Sequence, residues 1–156
     1  MSRICLALSA FVIATSLTAC SNPVEESQPT NSKLDAIAQP TPTCSSQEFT
    51  EGSDWIEGQL RAFKDTDAEK AYSYASENFR RSNSVEAFAA IIVSQYTMLL
   101  DLKDYQIVSC DKNGELFIFK VNVSDNQGNS YAMEYMLSRN GEKWGIDGAS
   151  VTLKVS

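Results

Sequence analysis

Histidine is absent from the 156-residue chain. That absence removes Ser–His–Asp and Cys–His nucleophilic sites, and with them the commonest nitrogen ligand for zinc. There is no Cys-x-x-Cys pair, Gly-rich phosphate loop, His-Glu-x-x-His helix or Gly-x-Ser-x-Gly elbow either. Neither a metal nor a cofactor is therefore expected. Basic residues are also scarce: 13 Lys plus Arg stand against 20 Asp plus Glu, a formal charge of −7. The only adjacent basic pair is Arg80-Arg81. Such a balance repels phosphate backbones and anionic head groups, so nucleic acid and electrostatic membrane contact are not expected partners.

No hydrophobic run is long enough to span a bilayer, which takes about 20 apolar residues. The longest begins after Arg3, and no residue from Ile4 to Ala19 is charged. A basic start, an apolar middle and small residues at the end describe a secretory signal over residues 1–19. The stretch closing this run, Leu17-Thr18-Ala19-Cys20, resembles the processing site of bacterial lipoprotein precursors. The resemblance implies cleavage before Cys20 and attachment of diacylglycerol to its thiol, with palmitate or a similar chain on the new amino terminus. Each buried CH₂ contributes about 0.8 kcal/mol, so several chains anchor stably. The implied location is the bacterial cell envelope, with the membrane engaged through covalent lipid. Ser21 after the cysteine implies the outer membrane, periplasmic side, in a Gram-negative cell.

All 4 prolines fall between Pro23 and Pro42, in a segment rich in Ser, Thr, Asn and Gln and without aromatics. It lacks the apolar surface to order itself, and residues 20–43 read as the lipidated cysteine and a flexible tether. Residues 44–156 then form the one globular domain. With Cys5 in the signal and Cys20 lipidated, Cys44 and Cys110 remain. An even remainder in an oxidising compartment favours a disulfide between them over two free thiols. Closing so long a loop contributes roughly 4 kcal/mol on the chain-entropy account.

Within the domain, Trp55, Ile56, Gln59, Leu60 and Phe63 recur at helical spacing, with Ser45 and Glu48 placed as a capping box ahead of them. Thr66 and Glu69 suggest a second box opening a short helix over Ala68–Ser76. Asn83 and Glu86 suggest a third, opening a helix in which Phe88, Ile91, Ile92, Gln95, Tyr96 and Leu99 line one stripe. The period then changes to two over four segments, starting at Tyr105, Glu115, Ser130 and Lys143. Asn113-Gly114 and Asn140-Gly141 are expected at the centres of type I′ hairpins. Trp144 and Ile146 are out of phase with Val151 and Leu153, so a bulge is expected near Gly148. Three helices followed by an antiparallel meander give an α+β domain, with N-terminal helices packed on a curved four-stranded antiparallel sheet.

That order resembles the cystatin-like cone of the nuclear transport factor 2-like superfamily. The residues carrying the resemblance are Gln59–Ser76, Phe79–Tyr96 and Tyr135–Val151. Together they are similar to an uncharacterised bacterial domain family within it, over about residues 54–153. The chain departs from that family's pattern at Glu77, where proline is common, and at Arg81 and Ser82, where glycine is common. The family carries no established activity, so the resemblance assigns no functional residue.

Enzymes of the superfamily move protons with histidine or acidic groups inside the cone. Here Glu134 is the only acid inside the third strand and Asp147 lies in the last, and both are expected on the surface, out of phase with their inward neighbours. Tyr72, Gln95, Tyr96, Tyr131 and Tyr135 are the expected pocket residues, with ordinary core packing as the alternative for the tyrosines and a rim hydrogen bond for Gln95. The expected function is a binding or interaction module contacting an envelope protein or a small apolar ligand. The alternative is an isomerase or dehydratase acting on a small apolar substrate. Cys20→Ala is expected to abolish incorporation of labelled palmitate and leave the precursor uncleaved; labelling that survives the substitution refutes the anchor.

Overall fold

The computed structural model describes residues 43–153. Cys20, the signal segment and the tether up to residue 42 lie outside the described residues. Five helices precede four strands: α1 (Ser46–Lys64), α2 (Ala68–Ser73), α3 (Glu77–Ser82), α4 (Val85–Gln95), α5 (Thr97–Leu100), β1 (Leu102–Asn113), β2 (Leu116–Asp125), β3 (Ser130–Asn140) and β4 (Lys143–Leu153). The strands form one antiparallel sheet in the order β1-β2-β3-β4. The α+β expectation of helices followed by a four-stranded meander holds.

Helix α1 begins as its sequence implies. Ser45 Oγ accepts from the Glu48 amide while the Glu48 carboxylate accepts from the Ser45 amide, a complete capping box. Lys112 of β1 donates to the same carboxylate at 2.6 Å, and this bond, with those from Ser45, holds the Glu48 pKa at about 2. The start of the helix is thereby tied to the sheet. A disulfide joins Cys44 to Cys110 beside it, with Cα atoms 5.6 Å apart. Further along α1, Ile56 and Leu60 are fully buried against Phe119, Val121, Met133, Tyr135 and Leu137 of the sheet's inner face. The alternation of β2 and β3 places these residues inward and Glu134 outward.

Local signals in the connections read differently from expectation. Thr66 does not cap α2. It sits at φ 53° as the left-handed residue of a Schellman ending to α1, in which the Thr66 and Asp67 amides donate to the Phe63 and Ala62 carbonyls. Asp67 is the cap of α2, accepting from the Lys70 amide at 2.9 Å. Likewise Asn83 ends α3, a helix the spacing did not predict, and Ser84 caps α4. The expected long third helix breaks at Tyr96 (φ −130°, ψ 39°) and restarts as α5. In both tight hairpins the pairing runs Asn113↔Leu116 and Asn140↔Lys143, so the central residues are Gly114-Glu115 and Gly141-Glu142. Only the glycines have positive φ, the pattern of a type II′ turn and not type I′.

The bulge in β4 is real and has a definite place. Met136 pairs with Gly148 and Leu137 with Ile146, leaving Asp147 without an opposite residue. Just before it, the edge of β4 is covered. The Ser76 amide donates to the Ile146 carbonyl at 2.8 Å, and the Ile146 amide donates to the Tyr74 carbonyl at 3.0 Å. Trp55 Nε1 donates to that same Tyr74 carbonyl at 2.8 Å, so one acceptor links α1, the Tyr74–Ser76 segment and β4. The approach leaves no room for a side chain on Gly145: a Cβ there lies 2.6 Å from Ser76 Cα. Gly145→Ala is therefore expected to push this segment off the sheet edge and cost about 2 kcal/mol, in the range of overpacked cores. A thermal melt checks this, with a fall in Tm of several degrees as the expected outcome.

Candidate functional site

Between the helices and the inner face of the sheet lies a cavity of about 140 Å³. Each wall follows from an element already described. Helix α1 contributes Gln59 and Phe63; α4 contributes Phe88, Ile91 and Ile92; the break after α4 contributes Tyr96. β3 contributes Tyr135, and the residues flanking the β4 bulge contribute Ile146, Gly148 and Ala149. Most of this surface is apolar, and no Asp, Glu, Lys or Arg is among its lining residues.

Three polar side chains line the cavity, and they are not equivalent. Tyr96 is committed, its hydroxyl donating to the Ala149 carbonyl. Gln59 is half committed: it is 4% exposed, and its Nε2 donates to the Ala71 carbonyl at 3.2 Å. Tyr135 is uncommitted. It is 1% exposed, and its hydroxyl has no hydrogen-bond partner among the described residues. Burial pushes the Tyr135 phenol pKa far up, with Tyr96 adding a smaller push, so it remains a neutral donor.

Of the expected pocket residues, the structure brings Tyr96 and Tyr135 together on the cavity wall. The other three are elsewhere. Tyr72 donates to the Asn83 carbonyl, with the Arg80 carbonyl also in reach at 3.2 Å, and so joins α2 to the end of α3. The Tyr131 hydroxyl donates to Asp125 Oδ2 at 3.1 Å. Asp125 also accepts from the Asn129 side chain and amide, which hold its carboxyl below the usual range. This cluster fixes the β2–β3 loop. Gln95 is exposed, because α4 ends at that residue and its stripe is carried by Phe88 and Ile92. The polar residue that sequence reasoning overlooked is Gln59. Its signal was present, since it stands on the apolar stripe of α1 between Ile56 and Phe63.

Glu134 is exposed on the outer face, as its phase implies. Asp147 departs from the expected surface position. As the extra residue of the bulge it is only partly exposed, and its Oδ2 is buried without a partner. It does not line the cavity. Among the described residues, no carboxylate lines the cavity beside Tyr96 and Tyr135.

The unpartnered hydroxyl makes a direct prediction. A buried hydroxyl with no protein partner costs roughly 1–3 kcal/mol. Tyr135→Phe keeps the ring and removes that cost, so the variant is expected to melt at or above the temperature of the parent protein. A clear loss of stability in a thermal melt refutes the unpartnered state.

Two solved structures of low identity share this architecture. An NTF2-like protein of unknown function from Shewanella baltica OS155 is 13% identical, with 73% of this chain and 99% of that chain covered and a TM-score of 0.52. An NTF2-like protein of unknown function from Silicibacter pomeroyi DSS-3 is 16% identical, with 72% and 100% covered and a TM-score of 0.50. At such identities the likeness establishes the NTF2-like fold. No curated protein matches the chain. The model of the family described as Domain of unknown function (DUF4864) matches residues 45–155, which takes in nearly all of the described residues, and the chain belongs to that family.

Proposed function

We propose that this protein is a lipid-tethered binding module of the bacterial cell envelope, and that its cone cavity takes a small, uncharged, mainly apolar ligand with one hydrogen-bond acceptor. The observation that carries the ligand reading is the Tyr135 hydroxyl, a neutral donor in an apolar cavity with no protein group to satisfy it. Buried polar groups are ordinarily paired, and an acceptor on a ligand supplies the missing partner. The volume of about 140 Å³ suits a ligand of one ring, close to the size of cavities that hold benzene.

The address rests on the sequence. The Leu17–Cys20 stretch after an apolar run supports lipidation at Cys20, and the Cys44–Cys110 disulfide suits an oxidising compartment. Binding is preferred over catalysis because no carboxylate or basic side chain lines the cavity to move a proton. Isomerase or dehydratase chemistry would have to reach Asp147, which stands outside the lining.

Calorimetric titration with cyclohexanone and methylcyclohexane tests the ligand reading. Both are expected to bind the parent protein, the ketone more tightly by roughly five-fold, the worth of one net hydrogen bond. In Tyr135→Phe that advantage is expected to vanish while methylcyclohexane binding persists. Failure of both compounds to bind the parent protein rejects the small-ligand site.

A further inference from the structure

Helix α4 does not pack as its composition predicts. Val85–Gln95 carries one charged residue, Glu86, and is apolar around most of its circumference. A helix of that kind is normally buried on all sides. Yet only Phe88 and Ile92 are buried, and Val93 is 61% exposed. By contrast α1 buries eight residues. A second cavity of about 110 Å³, open to solvent, lies on the other flank of α4, lined by Thr66, Asp67, Ala89, Val93 and Leu100 among others. Phe63, Phe88 and Ile92 line both cavities, so these three side chains are the partition between them.

Both ends of α4 are joints. At its start the backbone is extended at Asn83 (φ −135°, ψ 134°) and at the cap, Ser84. At its end, Tyr96 leaves the helical region before α5 begins. Each joint is held from outside the helix or its path: Tyr72 donates to the Asn83 carbonyl, and Tyr96 donates to the Ala149 carbonyl. Between the joints, Phe88 is the main anchor, with ring centroids 6.0 Å from Phe63, 5.7 Å from Tyr72 and 6.1 Å from Phe79. A rigid segment between two joints, held by little buried surface, is the arrangement of a hinged element.

We infer that α4 is a hinged cover whose displacement joins the two cavities into one chamber, and that this chamber takes a neutral medium-chain alkyl compound with a single hydrogen-bond acceptor. This deepens the proposed ligand site and rests on it. The acceptor meets Tyr135 in the first cavity, and the tail crosses beneath α4 into the second. The crossing is about one helix diameter, roughly 10 Å, the reach of an alkyl chain of about that many carbons. The ligand's polar end is uncharged because no Asp, Glu, Lys or Arg lines the first cavity, where it sits. A charged group there would be desolvated with no counter-ion to pair it. The first cavity alone is too small for such a chain, so its binding must draw on the displaced state of α4.

Hydrogen exchange of the full chain, read by mass spectrometry, tests the cover without any substitution. In the free protein, amides of α4 are expected to exchange roughly 100-fold or more faster than those of β2 and β3. Decan-2-one is expected to bind and change exchange across residues 85–95. Cyclohexanone is expected to bind and leave that segment unchanged, and decanoate to bind at least about ten-fold more weakly than decan-2-one. If α4 is as protected as β2 and β3, or if cyclohexanone binds and decan-2-one does not, the cover is overturned while the small-ligand site stands. If neither ketone binds, the ligand site itself fails. Decanoate binding as tightly as decan-2-one overturns the assignment of a neutral ligand.

Discussion

Strand β4 holds one residue more than β3 can pair, and the cavity depends on where that residue falls. Up to Ile146 the strand keeps Trp144 and Ile146 inward, and its outer edge is closed by the backbone of Tyr74–Ser76. Asp147 is left over, and beyond it Ala149 and Val151 take the inward positions. Two residues facing one lengthen and bend that side of the sheet. The edge of β4 therefore moves out of reach of the Tyr74–Ser76 segment, and the Ala149 carbonyl is met by the Tyr96 hydroxyl instead. Gly148 stands between these two closures; its backbone lines the cavity, while its Cβ position points outward toward Met136. A strand in perfect register would keep its edge along the helices and leave little space between sheet and α4.

The architecture was legible because it rests on periodicity, which is a property of many residues at once. The alternation Phe117, Phe119, Val121, Val123 and Tyr131, Met133, Tyr135, Leu137 survives any single misreading, and so does the stripe of α1. The β4 bulge was legible for the same reason, since Trp144 and Val151 are out of phase in a strand of otherwise regular alternation. Caps and turns were less so, because each depends on one residue and neighbours compete for the part. Thr66 and Asp67 are both good caps. Only the Schellman ending of α1, which forces Thr66 to positive φ, decides for Asp67. Asn-Gly favours type I′ in isolation, yet the closing pairs fall one residue later in the chain and leave Gly-Glu as the loop. Helix α3 has six residues and buries none of them, so it carries no periodic signal.

The site was legible in type but not in membership. Aromatic residues at helical or strand spacing say that a side chain is inward; they do not say whether it meets a cavity or another side chain. Tyr72 and Tyr131 are drawn to nearby acceptors, the Asn83 carbonyl and the Asp125 carboxylate, which their sequence neighbourhood does not advertise. Gln59 and Gln95 look alike on a helical wheel. One sits mid-helix against α2 and the other at a helix end, and only the packing of neighbouring elements separates them. The acids follow a simpler rule. Asp125 is buried with three donors around its carboxylate, whereas most of the other acids among the described residues stand at or near the surface, and no carboxylate lines the cavity.

The weak docking of α4 has the same origin as the cavity. A helix so apolar would gain about 25 cal/mol for each Å² it buried more deeply, and the sheet's curvature denies it that contact, since the bulge holds Ala149 and Gly148 away from Phe88 and Ile92. The tyrosine hydroxyls at Asn83 and Ala149 fix the ends without filling the space between them. The chain keeps the small Ala89 at the second cavity and leaves Val93 in solvent. Poor packing at one helix, beside a donor with no partner at Tyr135, is the combination expected where stability is given up for occupancy by something outside the chain.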